Sequence, residues 1–152
     1  MADRLTPERR SRLMSRVRSA DTDIETSLRS ELHRRGLRFR KHVKSLPGRP
    51  DIVFGPARVA VFVDGDFWHG WRFREKAQKL PPYWREKIRA NRVRDLRNFR
   101  LLRRQGWKVV RIWGHSIKAD PSAAADRVQR TIAWRLRDRR RFAVARSPLG
   151  RG

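Results

Sequence analysis

Residues 58–71, RVAVFVDGDFWHGW, contain the strand on which the fold prediction depends. Its first six residues are almost continuously apolar, which is typical of a strand buried on both faces at the centre of a sheet. The strand ends at Asp64, and Asp66, two aromatic residues and His69 follow. The chain has only 15 Asp and Glu against 40 Lys and Arg. Scarce acids next to bulky apolar residues therefore indicate a chemical role for this stretch.

Further strands and a long helix are predicted around this stretch. Segments 37–43 and 51–54 are predicted strands, and the GPA turn (55–57) makes 51–54 and 58–63 a hairpin. Residues 64–82 are a predicted loop, a helix is predicted over about 83–104, and WKVVRIW (107–113) is the final strand. The core face predicted for the long helix contains Trp84, Ile88, Leu96, Phe99 and Leu102.

Two helices are predicted before the first strand. The Thr-Pro pair at Thr6 is a helix-start signal, and a short basic helix is predicted from there to about Arg18. A second helix is predicted from Thr22, which has the capping-box spacing to Glu25, and is predicted to end at Gly36. Its apolar stripe is formed by Ile24, Leu28 and Leu32.

The C-terminal part is predicted to be a helix followed by a tail. Asp120-Pro121 begins the helix, and its apolar positions recur at helical spacing. From Arg139 onward the chain is basic and is predicted to be disordered. The resulting order αβββαβα predicts a single α/β domain over residues 1–138, with a mixed sheet and helices on both faces, and a tail over 139–152. The apolar positions of the predicted C-terminal helix are Ala124, Val128, Ile132 and Leu136.

The overall charge indicates a polyanionic partner. The formal net charge is +25 and the pI is near 12.0, so nucleic acid is the first candidate. The chain has no cysteine, which excludes disulfides and thiolate zinc sites. The sequence contains no run of about 18 apolar residues, so no membrane span is predicted. The N-terminus lacks the apolar segment of a signal peptide, so a cytoplasmic protein without a membrane partner is expected.

Two acids are predicted to meet at one edge of the sheet. Asp51 opens one strand of the hairpin and Asp64 closes the other, so the two carboxylates would lie side by side. Like charges at this distance cost free energy unless a cation lies between them. Mg²⁺ prefers such oxygen ligands, polarises phosphoryl groups and lowers the pKa of bound water. The sequence therefore predicts a magnesium site, with His69 as a nearby base for the attacking water.

Each of these residues also has a structural interpretation. Asp64 before a glycine is a common turn residue, Asp51 could cap a turn, and a lone histidine such as His69 is more often structural. On its own, Glu25 is better explained as a capping-box partner than as a ligand. The aromatic pair at 67–68 would normally belong to the core. The few acids of the chain converge on one region, and this favours the metal site over the structural interpretations.

Three long blocks resemble the very short patch repair (Vsr) endonucleases over about residues 8–136. These are SLPGRPDIVF, VAVFVDGDFWHG and YWREKIRANRVRDLRNFRLLRRQGWKVVRIW. The resemblance implies a restriction-endonuclease-like fold in a bacterial enzyme of the nucleoid. It also implies Mg²⁺-dependent nicking of one strand of double-stranded DNA beside a T:G mismatch left by deamination of 5-methylcytosine. Other mismatch-repair proteins are candidate partners, and a monomer is expected.

The resemblance also assigns roles to residues. Asp51 corresponds to the main metal ligand, Asp64 and the carbonyl of Val63 to further parts of the metal site, His69 to the general base and Glu25 to an active-site acid. The rings expected to wedge into the base stack are those of Phe67, Trp68 and Trp84. The side chains expected to contact phosphates are Arg49, Arg72 and Arg74, each of which could equally be solvated surface.

The chain departs from the family at its structural zinc. Asp66 occupies a position that is usually cysteine, Trp71 and Phe73 occupy later ligand positions, and His115 stands near the last one. Without cysteine the zinc is expected to be absent, and packing of Trp71 and Phe73 is expected to hold the loop instead. The resemblance implies that mismatch specificity depends on this loop, so the departure bears on specificity first. The alternatives are an endonuclease of other or relaxed specificity in host defence, or a noncatalytic DNA-binding protein on the same fold. Retained acids argue against the latter, since they would repel DNA without a metal.

Overall fold

The computed structural model describes residues 6–66 and 69–146, of which 10, 11, 13–22 and 144–146 are described as backbone only. These ranges contain a four-stranded mixed sheet in the order β1-β2-β3-β4. Strand β2 is antiparallel to β1 and β3, and β3 is parallel to β4. The predicted hairpin and the central position of β3 are confirmed. The bounds are β1 Arg40–Lys41, β2 Ile52–Phe54, β3 Val59–Asp64 and β4 Lys108–Trp113.

Five α-helices and one short 3₁₀ turn complete the described part of the chain. The helices are α1 Pro7–Arg34, α2 Phe73–Lys76, α3 Pro82–Arg104, α4 Gly114–Ala119 and α5 Pro121–Arg146, with the 3₁₀ turn at Ala77–Lys79 between α2 and α3. None of the helices in these ranges combines the length and apolar character needed to cross a bilayer.

The predicted break between two N-terminal helices is wrong. Helix α1 is continuous through Thr22 and begins at the predicted Thr6 cap, whose Oγ1 accepts the N–H of Arg9 at 3.3 Å. Residues 18–23 contain neither glycine nor proline, so nothing in the backbone stops the helix. The Ser, Asp and Thr residues there each cost only about 0.7 kcal/mol or less relative to alanine.

Three other boundaries differ from prediction. The strand predicted over 37–43 is reduced to β1, because His42 adopts a left-handed conformation with φ 46° that ends the extended chain. Helix α4 was not predicted. Helix α5 continues to Arg146, so the first eight residues of the predicted tail are helical, and residues 147–152 lie outside the described part.

Helices cover both faces of the sheet, as the fold class predicts. On one face α1, α4 and α5 pack on β3 and β4 through an apolar core that includes Leu28 and Val128. On the other face Phe99 and Leu102 of α3 pack against Ala60 and Phe62. All six residues of β3 are buried, because helices lie over both of its faces. Strand β3 is therefore buried on both faces of the sheet.

The predicted core face of α3 is confirmed at Trp84, Ile88, Phe99 and Leu102 and is wrong at Leu96. Leu96 is 49% exposed and its neighbour Asp95 is buried at 9%. The buried positions 84, 88, 95, 99 and 102 fit the helical repeat of 3.6 residues better than a stripe through Leu96 does,. A carboxylate therefore faces the sheet among apolar residues. In α5, Leu136 is 36% exposed and also departs from the predicted core.

Candidate active site

A cavity of about 470 Å³ lies where β2 begins and β3 ends. The antiparallel pairing brings these two ends together, and the Asp51 N–H donates to the Val61 carbonyl at 3.0 Å. Four carboxylates line the cavity, which is a high density of acid for a chain of charge +25. The predicted convergence of acids at this edge is confirmed. The lining residues are Glu25, Gly48, Arg49, Asp51, Phe62, Val63, Asp64, His69, Arg94, Asp95 and Asn98.

Asp51 lies at the start of β2 and is held by the neighbouring strand. Its Oδ2 accepts the N–H of Val63 at 2.7 Å. Burial raises the pKa of Asp51 to about 8; the Val63 hydrogen bond opposes this rise, and the nearby Glu25 and Asp64 carboxylates add to it. A carboxyl group in this position releases its proton readily only when a cation takes the place of that proton. The donor chemistry therefore fits a hard divalent cation.

Glu25 and His42 complete a first acidic group around Asp51. Ligand atoms of the three residues lie within 4.8 Å of one another. Glu25 Oε2 is 3.4 Å from His42 Nε2, and it also pairs with Arg29 at 3.1 Å. The capping-box explanation for Glu25 is wrong, because Thr22 lies inside α1 and not at a helix start.

His42 was missed by the sequence analysis. Its N–H donates to the Asp51 carbonyl at 3.1 Å, and its ring Nδ1 is 3.8 Å from Asp51 Oδ1. The signal that could have revealed it is its place at the end of the strand next to Asp51. That inference requires the register of β1 against β2, which sequence periodicity does not supply.

His69 belongs to a second group with Asp64 and Asp95. Its Nδ1 is 2.7 Å from Asp95 Oδ2, and its Nε2 is 3.5 Å from Asp64 Oδ1. Burial lowers the pKa of His69, but the Asp95 hydrogen bond and the charges of both carboxylates outweigh this effect and raise it above its usual value. The arrangement fixes the ring through Nδ1 and turns Nε2 toward Asp64.

Arg111 joins the two carboxylates of the second group. Its Nε is 2.6 Å from Asp64 Oδ2, and one terminal nitrogen is 3.2 Å from Asp95 Oδ2. Burial raises the pKa of Asp64, while His69 and Arg111 oppose that rise. The guanidinium also lies 4.2 Å from the ring centre of Trp113. The second group is therefore largely compensated by a cation of the chain itself.

Asp95 and Arg111 were also missed by the sequence analysis, although each left a signal. Asp95 is the one acid on the helical stripe that buries Phe99 and Leu102. Arg111 pairs in register with Phe62 on β3 and so shares the face of Asp64. Asp51 and Asp64 line the same cavity as predicted, but they lie in separate ligand-distance groups. Their joint ligation of one metal, and that by the Val63 carbonyl, stays a prediction.

The predicted DNA-contacting residues have different environments. Arg49 lines the cavity and has φ 51°, whereas Arg72 and Arg74 are exposed near α2. Trp84 is only 3% exposed, so its ring would have to leave this packing to enter the base stack, and its insertion between bases stays a prediction. Its neighbour Tyr83 is 40% exposed. Phe67 and Trp68 lie outside the described residues.

A cavity lined by carboxylates, beside a His–Asp pair on a mixed α/β fold of high positive charge, fits a nuclease. The family described as DNA mismatch endonuclease Vsr matches residues 2–75. The chain is 50% identical over 115 residues to the "Type II nicking enzyme V.XorIIP" of Xanthomonas oryzae pv. oryzae, covering 74% of this chain and 85% of that one.

Two further relatives cover most of both chains. Identity is 35% over 133 residues to the "Type II nicking enzyme V.NmeDIP" of Neisseria meningitidis serogroup C, covering 86% of this chain and 90% of the relative. It is 40% over 116 residues to the "DNA mismatch endonuclease Vsr" of Escherichia coli K12, covering 74% of each chain. The chain belongs to the Vsr family. It is a DNA endonuclease with a restriction-endonuclease-like fold.

Proposed function

We propose that the enzyme nicks one strand of duplex DNA beside a T:G mismatch and requires Mg²⁺, as in very short patch repair. The observation that carries the proposal is the cavity in which an acidic group around Asp51 faces a histidine group around His69. The name of the E. coli relative supports mismatch recognition, and the names of the other two relatives support nicking.

The first group is the one whose residues suit the metal. Asp51 would hold Mg²⁺, with Glu25 and His42 within ligand distance of it. When bound, the ion polarises the scissile phosphate and lowers the pKa of a coordinated water. Asp51 contributes a carboxylate whose raised pKa reflects burial and neighbouring acids, so a cation in this position relieves an existing electrostatic cost,.

The second group moves the proton. His69 Nε2 accepts a proton from the attacking water, while Asp95 holds Nδ1 at 2.7 Å and stabilises the imidazolium that forms,. His69 has to be neutral to act as a base, so its raised pKa sets the lower pH limit of the reaction. Arg111 holds Asp64 and Asp95 in place and reduces their repulsion of the DNA phosphates.

A second candidate is nicking of DNA without selectivity for the mismatch. Two observations favour it. Trp84 is buried and would have to leave its packing to wedge into the base stack. The family's zinc positions hold Asp66, Trp71, Phe73 and His115. A noncatalytic binding role is disfavoured, because the acidic cavity would weaken the affinity for phosphate without providing chemistry.

A nicking assay on matched duplexes tests the proposal. The protein is incubated with Mg²⁺ and duplexes that differ only in one T:G or C:G pair. Cutting of one strand of the T:G duplex alone, lost in Asp51→Asn and kept in the exposed control Asp23→Asn, is the expected result. Equal cutting of both duplexes would overturn mismatch specificity and leave the nuclease. Cutting that persists in Asp51→Asn, or without any divalent metal, would overturn the metal site.

A further inference from the structure

The loop that carries His69 is anchored on one side by α3. Gly70 has φ +71°, and a Cβ added there would lie 2.8 Å from Ile88 and 2.7 Å from Arg92. Phe73, just after the loop, is 7% exposed, and the Arg92 guanidinium lies 5.0 Å from its ring centre. The loop backbone is therefore packed directly on α3, where a side chain at position 70 would not fit.

A second anchor, on the opposite side, joins the loop to α4. Asp66 Oδ1 lies 2.9 Å from His115 Nδ1 and 3.4 Å from the backbone N of the same residue. The Trp71 ring packs on the His115 ring with centroids 4.2 Å apart, and the Trp71 N–H donates to the Asp66 carbonyl at 2.9 Å. The Asp66–Trp71–His115 cluster is called the clasp below.

A glycine makes room for this close approach between α4 and the loop. A Cβ added to Gly114 would lie 2.8 Å from Ile24 and 3.9 Å from Asp66 Oδ1. Glycine at the start of α4 thus lets His115 come next to the loop. Helix α4 receives no side-chain cap from its own N-cap residue, Trp113, and Asp66 supplies an acceptor to its second N–H instead.

The clasp occupies the positions at which the resemblance places zinc ligands, but its chemistry does not fit zinc. A structural zinc takes four nitrogen or sulfur ligands, with occasional oxygen. Trp71 and Phe73 offer no ligand atom, and the two residues that could bind a metal, Asp66 and His115, are bonded to each other. Neither belongs to a group of three potential ligands found among the described residues.

The clasp is connected to His69 through a short piece of backbone. Only two residues separate Asp66 from His69, and the His69 N–H donates to the Gly65 carbonyl at 3.2 Å. A shift of the loop therefore moves the imidazole relative to Asp95, which holds it at 2.7 Å. A displacement of about 1 Å at a catalytic group can lower a rate about a hundredfold. The Asp66–His115 contact is more than a third exposed at the His115 side chain and contributes little to global stability,.

We infer that the clasp replaces the structural zinc of the family and that Asp66, Trp71 and His115 are positioning residues for His69. The inference uses the role proposed above for His69 as the base. The rate of DNA cutting then depends on the clasp and does not change when zinc is removed. The outer side of the Trp71 ring is covered by Arg72 and Lys76. Their cationic groups lie 4.6 Å and 5.1 Å from the ring centre.

Three variants of the full chain test the inference. Asp66→Ala removes both bonds to His115, Asp66→Asn keeps an acceptor for them, and Glu75→Ala removes an exposed acid from the neighbouring helix as the control. We expect Asp66→Ala to lower kcat about tenfold to a hundredfold with KM and the unfolding midpoint nearly unchanged. Asp66→Asn should retain most of the activity, and Glu75→Ala should match the wild type. A chelator selective for zinc over magnesium should leave wild-type cutting unchanged.

A proton NMR measurement separates this inference from the proposed function. The His69 Nδ1–H that bonds Asp95 should give a downfield resonance in the wild type, which Asp66→Ala broadens or shifts and Asp66→Asn retains. Unchanged kcat and an unchanged resonance in Asp66→Ala would overturn the inference, as would stoichiometric zinc whose removal stops cutting. Absence of mismatch cutting by the wild type would overturn the proposed function, while the resonance would still test the clasp.

Discussion

The two acidic groups in the cavity hold similar residues but differ in how the arginines of the chain pair with their carboxylates. In the second group, Arg111 bonds both Asp64 and Asp95. In the first, Arg29 bonds Glu25, while Asp51 accepts a backbone N–H and has a pKa raised to about 8. A carboxylate that lacks compensation favours an added cation, whereas a compensated pair can orient a histidine. The difference assigns the metal to the first group and proton transfer to the second.

Asp51→Asn should have the largest effect, because it removes the central charge of the first group. We expect a fall in the nicking rate of at least about 10³-fold. DNA affinity measured without metal should not fall, since a charge that repels phosphate is lost. Nicking rates and metal-free binding, with Asp23→Asn as control, check both expectations. An equal loss in the two variants would remove the special role of Asp51.

His69→Gln should follow, with a loss of about 10²- to 10⁴-fold, the range for removal of a general base. In the wild type the pKa of His69 is raised by its carboxylates. The neutral base therefore accumulates as pH rises, and the rate should increase through a midpoint above 6.5. Asp95→Asn should move that midpoint to lower pH. A midpoint that moves upward, or stays fixed, would contradict the assignment of the second group.

Arg111→Met should mainly reduce stability. It leaves two buried carboxylates without their shared cation, and breaking a buried pair costs about 3 kcal/mol or more. Urea unfolding of the metal-free protein measures the loss. Arg89→Met, which removes an exposed arginine paired with the exposed Glu86 at 3.1 Å, should change stability by less than about 1 kcal/mol. Similar losses in both variants would show that the second group is not held by Arg111.

The stability of the metal-free protein should depend on pH through Asp51. Its pKa is 3.8 in the unfolded chain and about 8 in the folded protein. The folded state therefore binds more protons between these values, and the contribution of Asp51 to stability is lost as pH rises from about 4 to 8. Mg²⁺ should raise the Tm more at pH 8 than at pH 5. In Asp51→Asn this pH dependence of the Mg²⁺ effect should disappear; its persistence would place the metal elsewhere.

The smallest effect concerns the surface outside both groups. Arg74 is exposed near α2, and Arg74→Gln should reduce the slope of log affinity against log salt by about 0.9 if it contacts one phosphate. The chemical step should be unchanged. Arg137→Gln on α5, far along the chain from the cavity, serves as the control. An unaltered slope for Arg74→Gln would assign this arginine to solvated surface.

Sequence periodicity was sufficient for the hairpin, the central strand and the meeting of Asp51 with Asp64. Periodicity did not predict the site residues whose positions depend on contacts between distant segments. Asp95 was not predicted as a site residue, because its partners His69 and Arg111 lie in other segments of the chain. His42 enters the site through strand register. Glu25 was explained by a local cap that the continuous α1 does not contain.

The division of labour between the two groups is tested most directly by the Mg²⁺ dependence of nicking in Glu25→Gln and Asp95→Asn. Each variant removes one negative charge from the cavity, so they are matched. We expect Glu25→Gln to raise the half-saturating Mg²⁺ concentration about tenfold, because a ligand charge is lost. Asp95→Asn should lower the maximal rate and leave that concentration unchanged. The reverse pattern would show that the metal belongs to the histidine group and that the first group does not hold it.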